Sequence, residues 1–584
     1  MNEDKYVTAE EAAALLGVSV ATVKRRCRSG EIAAEKVGRG WLVVASGLPA
    51  SRRTPPRART SSNPARLVDF EASIRHLKGQ DIRRDLWVPD VLRHEDDFAN
   101  RESLVDQAAA RVDRMTPPDP ATQIPVPKSP IFLRNAVNLS LVDRLAYHAV
   151  VLACAPTLDS QIGSQAYAAR FKGRARFVGS GTTAWRKWKA DVQERARKLG
   201  GYVIETDITA FFDCVSHAIL LREMEDVGVP QELVSSLREM LRVWAVAPNT
   251  GLPQGPDASR LLANFYMHQV DDVLTALPGV AYFRYMDDVR IVAAERHIAI
   301  AALRVLDTEC KRRNLVLSTK KTALLTAQEA IDSLDDALLD SANYAYEDLT
   351  DGPKARAKLV EVFRAALKRD GSIDTKRMRF SLFRLRALRE RSVLNLVLDR
   401  LESLVGMGWL VPSYILPWLS KRRVADAVAS FLEDPERNTA EYLSCWLLAG
   451  FADEPRGITP RILRYARAVA YDPSAASFHR VIAMQVAAVG GTANDETRLK
   501  DIISREYHPE IVRGALVALR RIAKLDRATA SRATRIPGMA STVEFLRQRH
   551  DLPSLLFGEQ RVPLSLDPPM DGALSERRDV EMPL

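Results

Sequence analysis

Cysteine is scarce: five residues in 584, Cys27, Cys154, Cys214, Cys310 and Cys445, and no CxxC pair among them. That spacing excludes a disulfide framework and a cysteine-type zinc site, and it fits reduced thiols in the cytoplasm. No apolar run reads as long enough to cross a bilayer, and the polar start MNEDKYVTAEE has no signal-peptide form. The expectation is a cytoplasmic protein without membrane contact. A third absence is local. In AYFRYMDDVRIVA two strand-like runs meet at Met286-Asp287-Asp288, where a tight turn would normally take Asn-Gly or Asp-Gly. No glycine is present, so turn chemistry does not explain the pair of aspartates. Adjacent carboxylates repel each other unless a hard divalent cation cancels their charge.

The composition is otherwise that of a soluble multidomain chain, 46% hydrophobic and 27% charged. A net charge of +10 permits a polyanionic partner without requiring one. The first 46 residues read as helix, tight turn, basic helix and two-stranded wing: Thr8 caps the first helix, Gly17 ends it, and Ser19 caps VATVKRRCRSG. IAAEKVGRGWLVV follows as the wing. This order resembles the small winged helix-turn-helix domains of phage excisionases. The resemblance implies contact with duplex DNA through Thr22, Lys24, Arg25, Arg28 and Arg39, although some domains of this type bind only protein. Residues 47–66, rich in Pro, Ser and Arg, read as a disordered basic tether.

A further carboxylate comes from GYVIETDITAFFDCVSHAILL. Residues 201–206 read as a buried strand with Asp207 at its end, followed by Phe211, Phe212, Asp213 and then His217 on a helix. Between this strand and the aspartate hairpin lies NTGLPQGPDASRLLAN, a glycine- and proline-rich loop running into a helix. After the hairpin, LVLSTKKT is strand-like and ends in lysines.

In this order the four pieces are similar to the palm motifs of reverse transcriptases. DITAFFD resembles the first, GLPQGPDASRLLAN the second, YMDD the third and LVLSTKKT the fourth. Upstream, FLRNAVNLSLVDRLAYHAVV and SQAYAARFKG resemble the fingers. The resemblance implies an RNA-directed DNA polymerase, a nucleotidyltransferase using dNTPs, an RNA template or DNA product, and two Mg²⁺ ions. It assigns both metals to Asp207 and Asp287, adds the Ile208 carbonyl, and leaves Asp288 either a partial ligand or a support for the hairpin. Phe212 takes the place of the steric gate against a 2′-hydroxyl, with Phe211 as the alternative. Gln254 lies near nucleotide and template. Lys321, or its neighbour Lys320, meets the leaving pyrophosphate. Arg134, Arg170 and Lys172 are fingers candidates for the triphosphate. Asp213 and His217 read as structural hydrogen-bonding groups.

The expected architecture is multidomain α+β: winged helix-turn-helix over 1–46, linker over 47–66, and fingers and palm with an antiparallel sheet over 67–345. An all-α region over 346–552 and a loose tail over 553–584 follow. Prolines 435, 473 and 509, each followed by an apolar helix, give the all-α region a period that resembles HEAT-like repeats. Arg290 after YMDD and the long helical region are similar to bacterial abortive-infection and antiphage reverse transcriptases. A retron-type enzyme copying a dedicated non-coding RNA is one alternative. A DNA-binding regulator with an inactive polymerase scaffold is another, and a homo-oligomer is open.

Overall fold

A computed structural model describes residues 6–9, 12, 23–24, 27, 32–37, 40–44, 63–82, 87–129, 131–173, 177–179, 181–347, 352–369, 371–549 and 551–556. Near the N-terminus, strands β1 (Tyr6–Thr8), β2 (Ala34–Val37) and β3 (Gly40–Val44) form an antiparallel sheet in the order β1-β3-β2. Ala9, Ala12, Val23, Cys27, Ile32 and Val43 form its small core. Lys24 is helical and half-exposed, whereas Thr22, Arg25, Arg28 and Arg39 lie outside the described residues.

Chain order resumes at Pro64–Leu67, a 3₁₀ turn capped by Asn63 and tied to Asp113 through the Ala65 N–H. Pro64, which the sequence reading placed in the basic linker over 47–66, is buried. Strands β4 (Thr122–Pro127) and β5 (Leu133–Asn138) form a hairpin, with Val126 opposite Arg134. The palm sheet consists of β6 (Tyr202–Thr209), β7 (Val280–Tyr285), β8 (Asp288–Ala293), β9 (Val316–Leu317) and β10 (Ala323–Thr326). All its pairings are antiparallel, in the order β10-β6-β8-β7 with β9 on the far end of β6. Helices Leu141–Asp159, His217–Asp226, Gln231–Trp244, Asp257–Tyr266 and Arg296–Arg312 share the core behind it.

Helix Leu141–Asp159 corrects one expectation. It is 19 residues long and apolar enough to span a bilayer by length and composition, but it is mostly buried within the protein. Asp143, Arg144 and His148 lie on it, all buried.

Beyond the palm the described elements are helical, apart from an isolated bridge between Leu367 and Ile373. Helices Glu441–Asp453, Ser477–Gly490, Pro509–Arg521 and Met539–Gln548 pack successively in one row. Outside them, Arg422–Leu432 packs on Pro460–Ala470, and Ala493–Arg505 on Arg527–Ala533. The inner helix Glu441–Asp453 is buried over nearly its whole circumference, as its almost uninterrupted apolar sequence requires. Two boundaries differ from the sequence reading. Leu555 and Leu556, placed there in a loose tail, are buried, and their N–H groups donate to Asp453. The β4–β5 hairpin shares its core with the helical region: Ile124, Val126 and Ala136 cluster with Leu382, Leu404 and Trp446. Side-chain burial in that cluster, invisible to local periodicity, decides the grouping.

Candidate active site

Strand β6 carries its carboxylate to the end of the sheet, and the register sets Asp207 opposite Asp288. The Ile208 N–H donates to the Asp287 carbonyl at 3.3 Å, so the hairpin turn sits directly beside the end of β6. Met286 adopts φ 55° without being glycine, a conformation that costs energy unless its surroundings fix it. Arg284 fixes it. Its Nη1 donates to the Met286 carbonyl at 3.0 Å, while Nε and Nη2 hold Asp271 at 2.7 and 2.5 Å in a fully buried ion pair. Tyr282 donates to the same carboxylate at 2.9 Å. Tyr285 packs edge-on against Trp185 and donates to the Gly181 carbonyl. Sequence reasoning passed over Arg284 and Asp271, although an arginine two residues before a glycine-free turn was the available signal.

The electrostatics follow from this geometry. Partial burial, with Asp288 and Asp207 alongside, pushes the Asp287 carboxyl up to about 7. Burial also raises Asp288; Arg290 offsets part of the rise and Asp207 adds to it. Arg290 is itself held by Glu205 at 2.9 Å and lies over the Trp188 ring. Against these acids stands Lys321, whose Nζ donates to Asp207 Oδ2 at 2.8 Å. Burial alone would lower the Lys321 ammonium, but the Asp207 carboxylate outweighs it and raises it. Both Lys320 and Lys321 are exposed, and the bond to Asp207 is what turns Lys321 toward the acids.

Such a donor set, oxygen-rich and short of positive charge, fits a hard divalent cation. The three carboxylates do not close around a single point. Among the described residues the trio whose ligand atoms lie within 4.8 Å of one another is His76, Asp81 and Asp257. That cluster is already neutralised: Arg144 holds Asp81 at 2.6 Å, Arg260 holds Asp257 at 3.2 Å, and His76 meets Asp257 at 3.0 Å. It joins helix Phe70–His76 to the start of helix Asp257–Tyr266 and behaves as a structural network.

The remaining sequence candidates separate by position. Phe211 is buried and Phe212 is half-exposed beside it. Gln254 donates from Nε2 to Asp213 Oδ1 at 2.9 Å. His217 is buried and bonded to the Gly251 carbonyl at 2.6 Å, which pins the loop, and burial lowers its imidazole. Arg134 projects from β5 into range of Asp287 and Asp213. Burial and then Arg379, from helix Thr375–Ala387, lower its guanidinium against the pull of those acids. Arg170 is engaged elsewhere, on Asp159 and on the carbonyls of Ile162, Gly163 and Ala166. Lys172 is exposed and its aliphatic chain passes Gly179.

The sheet, the hairpin and the acids together define a polymerase palm, and comparison with known families agrees. A model described as reverse transcriptase (RNA-dependent DNA polymerase) matches residues 142–338, and one described as helix-turn-helix domain matches residues 6–46. Residues 142–338 therefore carry a domain of the reverse-transcriptase type. The chain is also similar to Protein YkfC of Escherichia coli (strain K12), 25% identical over 238 residues. That alignment covers 33% of this chain and 58% of YkfC, less than two thirds of the relative's length.

Proposed function

We propose that the protein is an RNA-directed DNA polymerase that adds dNTPs to a growing 3′ end. The observation that carries this reading is the register that sets Asp207 opposite Asp288, with the Asp287 turn hydrogen-bonded to Ile208 beside it, so that three acids share one end of the palm sheet despite mutual repulsion. Asp207 and Asp287 would hold two Mg²⁺ ions, with the Ile208 carbonyl beside them. Bound there, the cations would activate the 3′-hydroxyl and neutralise the departing pyrophosphate. Asp288 supports the hairpin from the first position of β8.

The chain's own groups supply the rest. Lys321, already on Asp207, would meet leaving-group charge. Arg134 takes the triphosphate; the existing contacts of Arg170 favour a structural role for that residue. The half-exposed ring of Phe212 excludes a 2′-hydroxyl, while buried Phe211 supports the fold beneath it.

The N-terminal domain would bind duplex DNA, and the two rows of helices beyond the palm form a HEAT-like stack. Arg290 and that stack support a role in bacterial antiphage defence by resemblance. The test is incorporation of labelled dNTP by purified full-length protein with Mg²⁺. Wild type incorporates and Asp287→Asn falls to background. Equal incorporation by the two, with and without added RNA, sinks the polymerase and leaves the DNA-binding regulator.

A further inference from the structure

The palm chemistry accounts for the acids but not for a line of indoles behind the glutamine loop. Trp446 lies on helix Glu441–Asp453, fully buried in the helical core, and its Nε1–H donates to the Trp87 carbonyl at 3.1 Å. Trp87 in turn donates its own Nε1–H to the Gln254 carbonyl at 3.2 Å. Gln254 then reaches Asp213, next to Phe212. A chain of donors therefore runs from the centre of the helical stack to the loop that faces the palm.

Both ends of this chain are anchored differently. The segment that carries Trp87 is clamped to the helices: Arg513 pairs with Asp90 at 2.5 Å and Asp96 at 2.7 Å, and Thr542 donates to Asp96 at 2.7 Å. Arg93 donates to the Leu556 carbonyl at 2.6 Å, and Val91 and Leu92 are buried in the helical core. The glutamine loop carries no ion-pair clamp of this kind among the described residues: Leu252 and Pro253 are buried at its start, and Gln254 is half-exposed. Gly251 and Gly255 sit at φ 95° and 134°, where only glycine is at ease, and the stretch between them belongs to no strand or helix. Its described hydrogen bonds are the Gly251 N–H on the Val215 carbonyl, His217 on the Gly251 carbonyl, the Leu252 N–H on the Phe212 carbonyl, the Gln254 side chain on Asp213, and Trp87 on the Gln254 carbonyl. Trp87 also lines a cavity of about 540 Å³ with Phe98, Phe478 and Phe545, so its packing is incomplete and its N–H carries orientation that packing does not.

We propose that Trp87 is a positioning residue for Gln254, and that through Trp446 and Trp87 the helical region sets how the incoming nucleotide is held at the palm. The proposal rests on the polymerase reading. The indole N–H fixes the Gln254 peptide plane and with it the direction of the Gln254 side chain; a ring without the donor would fill space and leave the plane free.

The experiment uses full-length protein, Mg²⁺, poly(rA)·oligo(dT) and dTTP. Trp87→Phe keeps a ring and removes the donor. The KM for dTTP rises roughly three- to tenfold, the scale of one lost hydrogen bond, while kcat changes less. In a Gln254→Ala background the same substitution has no further effect on KM, because the side chain it orients is gone. Trp446→Phe shifts KM in the same direction by less, and carries the test if Trp87→Phe fails to fold. An unchanged KM in the folded variant, or a rise that persists undiminished in Gln254→Ala, makes Trp87 a packing residue and overturns the proposal alone. Wild type no more active than Asp287→Asn overturns the polymerase reading, and the proposal with it.

Discussion

Asp287 in the palm and Asp90 beside the helical stack are both half-buried carboxylates, and their surroundings drive them in opposite directions. Asp287 faces two further acids across a turn and its carboxyl is pushed up to about 7. Asp90 meets Arg513, which overcomes the cost of burial and holds the carboxyl far below the usual range. The same guanidinium lowers Asp96. Where like charges are kept together the fold gives up stability; where opposite charges meet, the contact joins parts of the chain more than 400 residues apart.

Paired substitutions expose that contrast. Asp287→Asn abolishes incorporation yet leaves the urea midpoint unchanged or raised, since a repelling charge is removed. Arg513→Ala lowers stability by about 3–5 kcal/mol, because it strands Asp90 and Asp96 without their cation. A loss of stability in the first, or none in the second, would erase the distinction.

Neighbouring phenylalanines repeat it on a smaller scale. Phe211→Ala empties a core position and costs about 3–5 kcal/mol, measured by urea unfolding. Phe212→Ala costs much less, but reduces the preference for dNTP over rNTP by roughly 10- to 100-fold in single-nucleotide incorporation.

The smallest effect concerns acid. His479 is buried within the helical core, and burial lowers its imidazole to about 4. Between about 6.5 and 4 the unfolded chain takes a proton at this site that the folded protein refuses, so the stability contribution falls as pH falls through that window. The loss amounts to at most about 3 kcal/mol, and His479→Gln reduces the difference between urea midpoints at pH 7 and pH 4.5.

The sequence made the palm legible for physical reasons. Asp207 lies close to the end of a run of strand residues, which the structure extends to Thr209, and Asp287-Asp288 interrupt another without glycine, so each acid announces itself locally. The clamp was hidden. Residues 87–99 show mixed charge with no period of their own, and Asp90, Asp96 and Arg513 acquire meaning only once folding brings them together. The link from Trp446 to Gln254 was equally silent, since a tryptophan in a buried helix reads as core from its neighbours alone.

The shared cluster of Ile124, Val126 and Ala136 with Leu382, Leu404 and Trp446 also bears on how such a chain can be rearranged. A recombination event that exchanged only the residues after 345 would bring a foreign apolar surface against the β4–β5 hairpin, and the mismatch would reach Arg134 on that hairpin. Inheritance of the helical stack is therefore tied to inheritance of the hairpin and of residues 87–99. These pieces travel together or lose their fit.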